Sequence, residues 1–136
     1  MNLLGEVMGT RSVIAKTNCD GTITGSYCHY DGYINHNGKI LLESYSNDTK
    51  ANKLIENGGI SSLRKRIGTK HSFNNPPEGE TTFYHRDRGE PLKVFTWKNH
   101  KEMMDQMYEC EYFYIWDGDW YVSKGNEFVL VSSYFN

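Results

Sequence analysis

The chain of 136 residues has three prolines, three cysteines and no long apolar run. A membrane-crossing helix needs roughly 20 consecutive apolar residues, and nothing here approaches that. Cys19, Cys28 and Cys110 show no paired spacing and form no CxxC. An odd count excludes a closed disulfide framework, and a thiolate zinc knuckle has no support. The three read as reduced thiols in a cytoplasm. Charge of one sign is also missing: 15 Lys and Arg stand against 17 Asp and Glu, for a net charge of −2. That excludes a strongly basic protein gripping duplex nucleic acid. The chain has neither GxGxxG nor GxxxxGK[ST], so dinucleotide and P-loop chemistry find no footing and no cofactor is expected. Met1 to Val7 lack the basic region ahead of an apolar stretch that marks a secretory signal. Internal repeats, linkers and low-complexity runs are absent too.

Aromatic surface is what the chain has in quantity: ten Tyr, six Phe and three Trp. That much apolar area argues for a packed core despite a mean hydropathy of −0.69. The length fits one domain. Met8 offers a second start, because codons for Gly5-Glu6-Val7 permit a purine-rich ribosome-binding sequence just before it. Residues 1–7 are therefore expected to be an N-terminal extension and 8–136 a single domain.

Arg11 to Lys16 and Thr22 to Tyr30 flank Asp20-Gly21, a favoured tight-turn pair, and read as a hairpin. A helix-length segment follows from Asn37 to Tyr45. Asn47 or Asp48 caps a helix over Thr49 to Glu56, which Asn57-Gly58-Gly59 ends. Ile60, Leu63 and Ile67 recur at helical spacing, with Arg64, Lys65 and Arg66 as a solvated face between them. Thr69 to Glu80 is a polar loop. Thr81 to His85 and Leu92 to Trp97 read as strands around a charged turn, Arg86 to Pro91. Asn99 caps a helix whose Met103, Met104 and Met107 face the core. Tyr112 to Trp116, Asp117-Gly118-Asp119 and Trp120 to Ser123 form the clearest hairpin, and Phe128 to Val131 adds a last strand. The expected class is α+β: a mainly antiparallel sheet built from hairpins, with two to four helices packed on one face. The Trp116–Trp120 hairpin, if exposed, would offer a face for a homodimer or higher homo-oligomer.

Two polar-aromatic clusters are candidate sites. In the first, Tyr30 and Tyr33 suit stacking on a planar base, while His29 and Asp31 suit its edge or a ribose. His29, Asp31 and His36 also form a weak candidate metal set. The bland alternative is a hairpin corner, with the aromatics in the core and Asp31-Gly32 making the turn. The second cluster is Lys70, His71, Tyr84, Arg86 and Arg88, joined by Arg11. On an extended segment Arg86 and Arg88 share a face, and the guanidinium fork matches phosphate. The bland alternative is a surface turn with local ion pairs, each worth little. His71 and His85 would be the acid–base pair if the chain cleaves phosphodiesters. A cysteine nucleophile has no local elbow around Cys28 to support it.

The stretch Gly9-Thr10-Arg11-Ser12-x-Ile14-Ala15, the run Tyr27-Cys28-His29-Tyr30-Asp31-Gly32-Tyr33, and Gly38-Lys39-Ile40-Leu41 resemble a family of small, largely uncharacterised bacteriophage and prophage proteins. Members usually begin at MGTRS and carry Trp where this chain has Tyr30. The resemblance extends through Gly59 to Leu63, Thr81-Thr82-x-Tyr84, Arg86 to Glu90 and the closing Tyr-x-Tyr-x-Trp-Asp-Gly-x-Trp-Tyr. It implies a viral protein acting in the host bacterial cytoplasm and brings no assigned site residues. With the paired arginines and aromatics, the expectation is an anti-defence sponge. Such a protein sequesters a phosphate-bearing nucleotide signal, of cyclic oligonucleotide or ADP-ribose type, without catalysis. The alternatives are a protein-binding inhibitor of a host defence or regulatory protein, and a small phosphodiesterase or nuclease. Neither a membrane nor duplex nucleic acid is an expected partner.

Overall fold

The computed structural model describes residues 9–135; the expected extension at 1–7 and the start at Met8 lie outside the described residues. The fold is α+β, a single domain around one mixed sheet. In chain order come β1 (Ser12–Thr17), β2 (Ile23–Cys28), a π-helical turn (Ile34–Gly38) running into α1 (Lys39–Ser44), α2 (Asp48–Glu56), β3 (Ile60–Ser62), β4 (Thr82–Phe83), α3 (Tyr84–Arg88), β5 (Phe95–Trp97), α4 (His100–Gln106), β6 (Tyr112–Trp116), β7 (Trp120–Ser123) and β8 (Val129–Leu130), then a 3₁₀ turn (Val131–Tyr134).

Local chemistry accounts for the punctuation. Gly21 and Gly118 take φ of 87° and 78°, left-handed values that only glycine adopts without strain, and so close the two long hairpins. Asn47 accepts from the Lys50 N–H at 2.8 Å, and Asn99 from the Glu102 N–H at 2.9 Å; each satisfies an otherwise orphaned helix donor. The segment from Ile60 does not continue as a helix. Its Ile60 pairs with Cys28 of β2 and with Phe83 of β4, so sheet pairing overrides the helical spacing. Likewise Tyr84 to Arg88 leaves the strand and turns helical, stopped by Gly89 at φ 74°.

The sheet runs β4-β3-β2-β1-β6-β7-β8. Most pairs are antiparallel, but β1 pairs β6 in parallel across about a hundred residues of chain, and β2 pairs β3 in parallel. Period-2 alternation sends Ile14 to one core and Val13 and Ala15 to the other. The first core receives α1 and α2 through Leu41, Ala51, Leu54 and Ile55. The second receives α4 through Met103, so the helices divide between the faces. Trp116 and Trp120 are buried, the latter donating its indole N–H to the Tyr45 carbonyl at 3.1 Å. The two indoles of that hairpin therefore lie in the core, while Tyr112 and Tyr121 on the same strands stay half-buried.

Tyr114 is fully buried and donates its hydroxyl to the Gly32 carbonyl at 2.6 Å. Tyr114→Phe strands that carbonyl. Urea unfolding is expected to show a loss of about 1–2 kcal/mol with an unchanged m value.

One irregularity positions the site. The outer edge of β2 is shared: β5 pairs with Ile23 to Gly25, and β3 takes over at Cys28. The sheet forks between them, beside Ser26 and Tyr27. The alternation that aims the His29 N–H at the Ile60 carbonyl, 2.9 Å away, aims the Tyr27 N–H into the fork.

Candidate functional site

The second sequence cluster divides. Arg86 is a structural residue. Its Nε donates to Asp87 Oδ1 at 2.9 Å, its Nη1 to the Ile67 carbonyl at 2.8 Å, and its Nη2 to the Thr81 carbonyl at 2.9 Å. The Asp87 side chain is fully buried and also accepts from the backbone N–H groups of Phe83 and His71. Burial pushes the Asp87 carboxyl up. The bonds from Arg86, Phe83 and His71 outweigh that and hold it below the usual carboxylate range. Because Tyr84 to Arg88 is a helical turn, Arg86 and Arg88 do not share the face that an extended segment would give them. Arg88 points elsewhere: it pairs with Glu90 and lies over the rings of Phe73, at 4.3 Å, and Tyr84, at 5.1 Å.

The histidines of that cluster are occupied as well. His71 has a side chain only 6% exposed, and both its ring nitrogens face carbonyl oxygens, of Ser72 at 2.9 Å and Thr81 at 3.1 Å. His85 Nδ1 faces the Glu90 carbonyl at 2.7 Å. Both ring nitrogens of His71 and Nδ1 of His85 are thus engaged by backbone carbonyls within the fold. Lys70 is exposed on the polar loop.

The first cluster is partly the hairpin corner. Asp31 takes φ 58° and Gly32 approaches the Thr10 carbonyl so closely that a β-carbon would stand 2.6 Å from it. The buried Asn37 amide lies 3.3 Å from Ser12 Oγ, Cys28 Sγ and the Tyr30 carbonyl, and pins the corner. His36 faces Asn37 Oδ1 at 2.9 Å, and Tyr33 is exposed beside it. Asp31 Oδ2 lies 3.9 Å from His36 Nε2, whereas His29 turns to Tyr27. Among the described residues no group of three His, Cys, Asp or Glu side chains is arranged to hold a metal ion. Burial pushes the Cys28 thiol up to about 11 and the Cys110 thiol up to about 12, so neither is a nucleophile near neutral pH.

Parts of both clusters do meet, at the fork. A cleft of about 370 Å³ opens there, lined by the aromatic rings of Tyr27, Tyr84 and Phe95, by Met107, and by Glu90, Lys93 and Glu109. Gly59 lets Tyr84 approach: a β-carbon there would stand 3.4 Å from its ring. The Tyr27 hydroxyl lies 2.6 Å from His29 Nδ1, and Tyr30 sits edge-on to His29 at 4.5 Å. Burial pushes the Tyr27 phenol up to about 12, so it keeps its proton. Burial, helped by Arg11, lowers His29, so the ring is neutral near pH 7. Arg11 Nη1 lies 3.9 Å from Glu109, which lines the cleft. Among the described residues the buried Arg11 Nε has no hydrogen-bond partner. Arg88 pairs with Glu90, which lines the cleft, and lies over the ring of Tyr84.

Of the ten candidate ligand residues, Tyr84 alone lines this cleft; Arg11, His29 and Arg88 contact its lining residues Glu109, Tyr27 and Tyr84, Tyr30 packs on His29, and Asp31, Tyr33, Lys70, His71 and Arg86 do not line it. Tyr27, Lys93, Phe95, Glu90 and Glu109 were not singled out from the sequence. Only Tyr27 carried a signal, since it is two residues from His29 on one strand and so shares its face. No family model, curated protein or solved structure matches the chain. Among the described residues no helix is long and apolar enough to cross a membrane.

Proposed function

We propose that this chain is a non-catalytic binding protein that takes a nucleotide-like ligand in the cleft at the sheet fork. One observation supports the reading above the rest: Tyr27, Tyr84 and Phe95, from three distant segments, line one cleft whose rim carries charged groups. Aromatic rings hold planar bases by stacking, worth about 1–3 kcal/mol per base. Glu90 and Glu109 suit ribose hydroxyls or an exocyclic amino group, and Arg11 suits phosphate. At about 370 Å³ the cleft falls at the small end of ordinary ligand sites, of about 300–1,000 Å³. It suits one nucleotide unit, as in an ADP-ribose-type ligand, better than a whole cyclic oligonucleotide. In a phage-infected cell, the setting that the sequence resemblance implies, such a protein would withhold a nucleotide signal by affinity alone.

A thermal-shift screen against nucleosides, mononucleotides, cyclic dinucleotides and ADP-ribose isomers tests this. At a hundredfold excess over its dissociation constant a ligand stabilises the fold by about 2.7 kcal/mol, a shift of several degrees. The expected outcome is a shift with one class that Tyr84→Ala removes. A flat response across the screen would sink the proposal.

A second reading, a protein-binding inhibitor, draws on a different observation. Leu92, Val94, Phe95 and Tyr108 are exposed beside the cleft, Tyr108 at 78%, and both Arg86 and Arg88 are held in ion pairs. It becomes the leading reading if the nucleotide screen is flat.

A further inference from the structure

We infer that the base held in this cleft is guanine, with Glu109 accepting from its N1 and N2 hydrogens and Lys93 donating to its O6 and N7. This rests on the reading that the cleft takes a nucleotide and narrows that reading to one base.

The make-up of the cleft carries the argument. Tyr27, Tyr84 and Phe95 line it together with two carboxylates, Glu90 and Glu109, and one ammonium, Lys93. Aromatic rings hold any base by its face and distinguish bases poorly. The choice of base therefore falls to the charged groups that meet the ring edge. A carboxylate only accepts hydrogen bonds, and it binds two parallel donors best. An ammonium only donates. Together they match a base with two neighbouring donors on one side and acceptors on another. Guanine has that pattern: its N1 and N2 hydrogens are adjacent donors, and its O6 and N7 are adjacent acceptors. Adenine and cytosine set a ring-nitrogen acceptor beside their amino group, so the second carboxylate oxygen would meet a lone pair. Uracil sets its N–H between two carbonyls.

The two carboxylates are not equivalent. Glu90 is engaged by Arg88, which reaches it through both Nε and Nη2. Glu109 lies 3.9 Å from Arg11 Nη1, beyond hydrogen-bond reach, and its side chain is 62% exposed, so it can turn to a base edge. Lys93 is placed by its backbone, which packs on Gly58: a β-carbon there would stand 3.3 Å from the Lys93 carbonyl oxygen. The residue is exposed, so its ammonium can follow the bound base.

Titration calorimetry with GMP, IMP and AMP, on wild type and on Glu109→Gln, Lys93→Met and Tyr84→Ala, tests the proposal. The three nucleotides share ribose and phosphate, so their affinity ratios report the base alone. IMP differs from GMP only in lacking the N2 amino group. The expected result is GMP binding at least about tenfold tighter than IMP or AMP in wild type. Glu109→Gln should close the gap between GMP and IMP and narrow the gap between GMP and AMP, with AMP affinity unchanged. Lys93→Met should narrow the gap between GMP and AMP, because adenine carries an amino group in place of O6. Tyr84→Ala should weaken all three together, because stacking does not read the edge. Both charged side chains are exposed, so their variants should keep the thermal midpoint. Equal affinity for the three in wild type, or a ratio of GMP to AMP that either charge variant leaves unchanged, overturns the guanine assignment and leaves the nucleotide cleft standing. No binding of any of the three overturns the nucleotide reading, and the guanine assignment with it.

Discussion

Asp87→Asn is expected to destabilise the protein by about 3–5 kcal/mol, because it breaks a buried ion pair and leaves the Arg86 charge without its counterpart. The carboxylate receives two bonds from Arg86 and one each from the Phe83 and His71 backbone N–H groups. An amide of the same size turns a donor toward some of those donors. In a domain of this length the loss should lower the thermal midpoint by roughly 10–15 °C. Calorimetric melting of the two proteins at neutral pH measures it. A change under a few degrees would show that Asp87 does not hold the polar loop, α3 and β4 together.

The same residue sets a pH dependence with a definite sign. Its carboxyl titrates below the usual range in the folded state. Its contribution is therefore complete above the unfolded value, about 3.9, and is lost as pH falls through that value toward the folded one. Wild type should lose stability steeply below about pH 4. Asp87→Asn should show a shallower decline across that window, visible in midpoints recorded from pH 7 to pH 2.

Trp97→Ala carries the second large effect, about 3–5 kcal/mol, with a cleft consequence that Asp87→Asn does not share. Trp97 is 1% exposed, donates its indole N–H to Gln106 at 3.0 Å, and stacks on Phe95 with centroids 5.8 Å apart. It is the anchor of β5, a three-residue strand that, among the described residues, pairs only with β2. Without it Phe95 loses its backing and one wall of the fork loosens. Chemical denaturation should report the loss, and hydrogen exchange should rise first in β5 and α4. Trp97→Phe, which keeps most of the packing, should recover more than half of the stability. Uniform exchange across the sheet in Trp97→Ala would contradict the local anchoring role.

The two arginines show why the site was only half legible. Arg86 and Arg88 both suit phosphate by side-chain chemistry, and spacing on a strand would put them side by side. Helical geometry at Tyr84–Arg88 separates them, and the buried carboxylate of Asp87 draws Arg86 inward. Whether a guanidinium faces solvent or a buried partner depends on burial, which spacing does not encode. His71 is the same case: its ring nitrogens meet carbonyls at 72 and 81 that only the folded loop brings together. The cleft is less legible still, since Tyr27, Tyr84, Phe95 and Glu109 come from four segments with no common motif.

For the fold, the sequence by itself determined what short-range chemistry controls. Asp20-Gly21 and Asp117-Gly118-Asp119 close hairpins because glycine alone accepts their backbone angles, and Asn47 and Asn99 start helices because their side chains satisfy the first orphaned donors. Alternation within β1, β6 and β7 followed from the period of a strand. Tertiary structure alone decided the partners: the parallel β1–β6 pairing, the strand at Ile60 in place of a helix, and α4 on the opposite face from α1 and α2. Each of these rests on burial against chain tens of residues away, and a backbone edge carries no mark of which distant strand will cover it. The fork that shapes the cleft arises there, where two short strands compete for one edge of β2 and neither covers Tyr27.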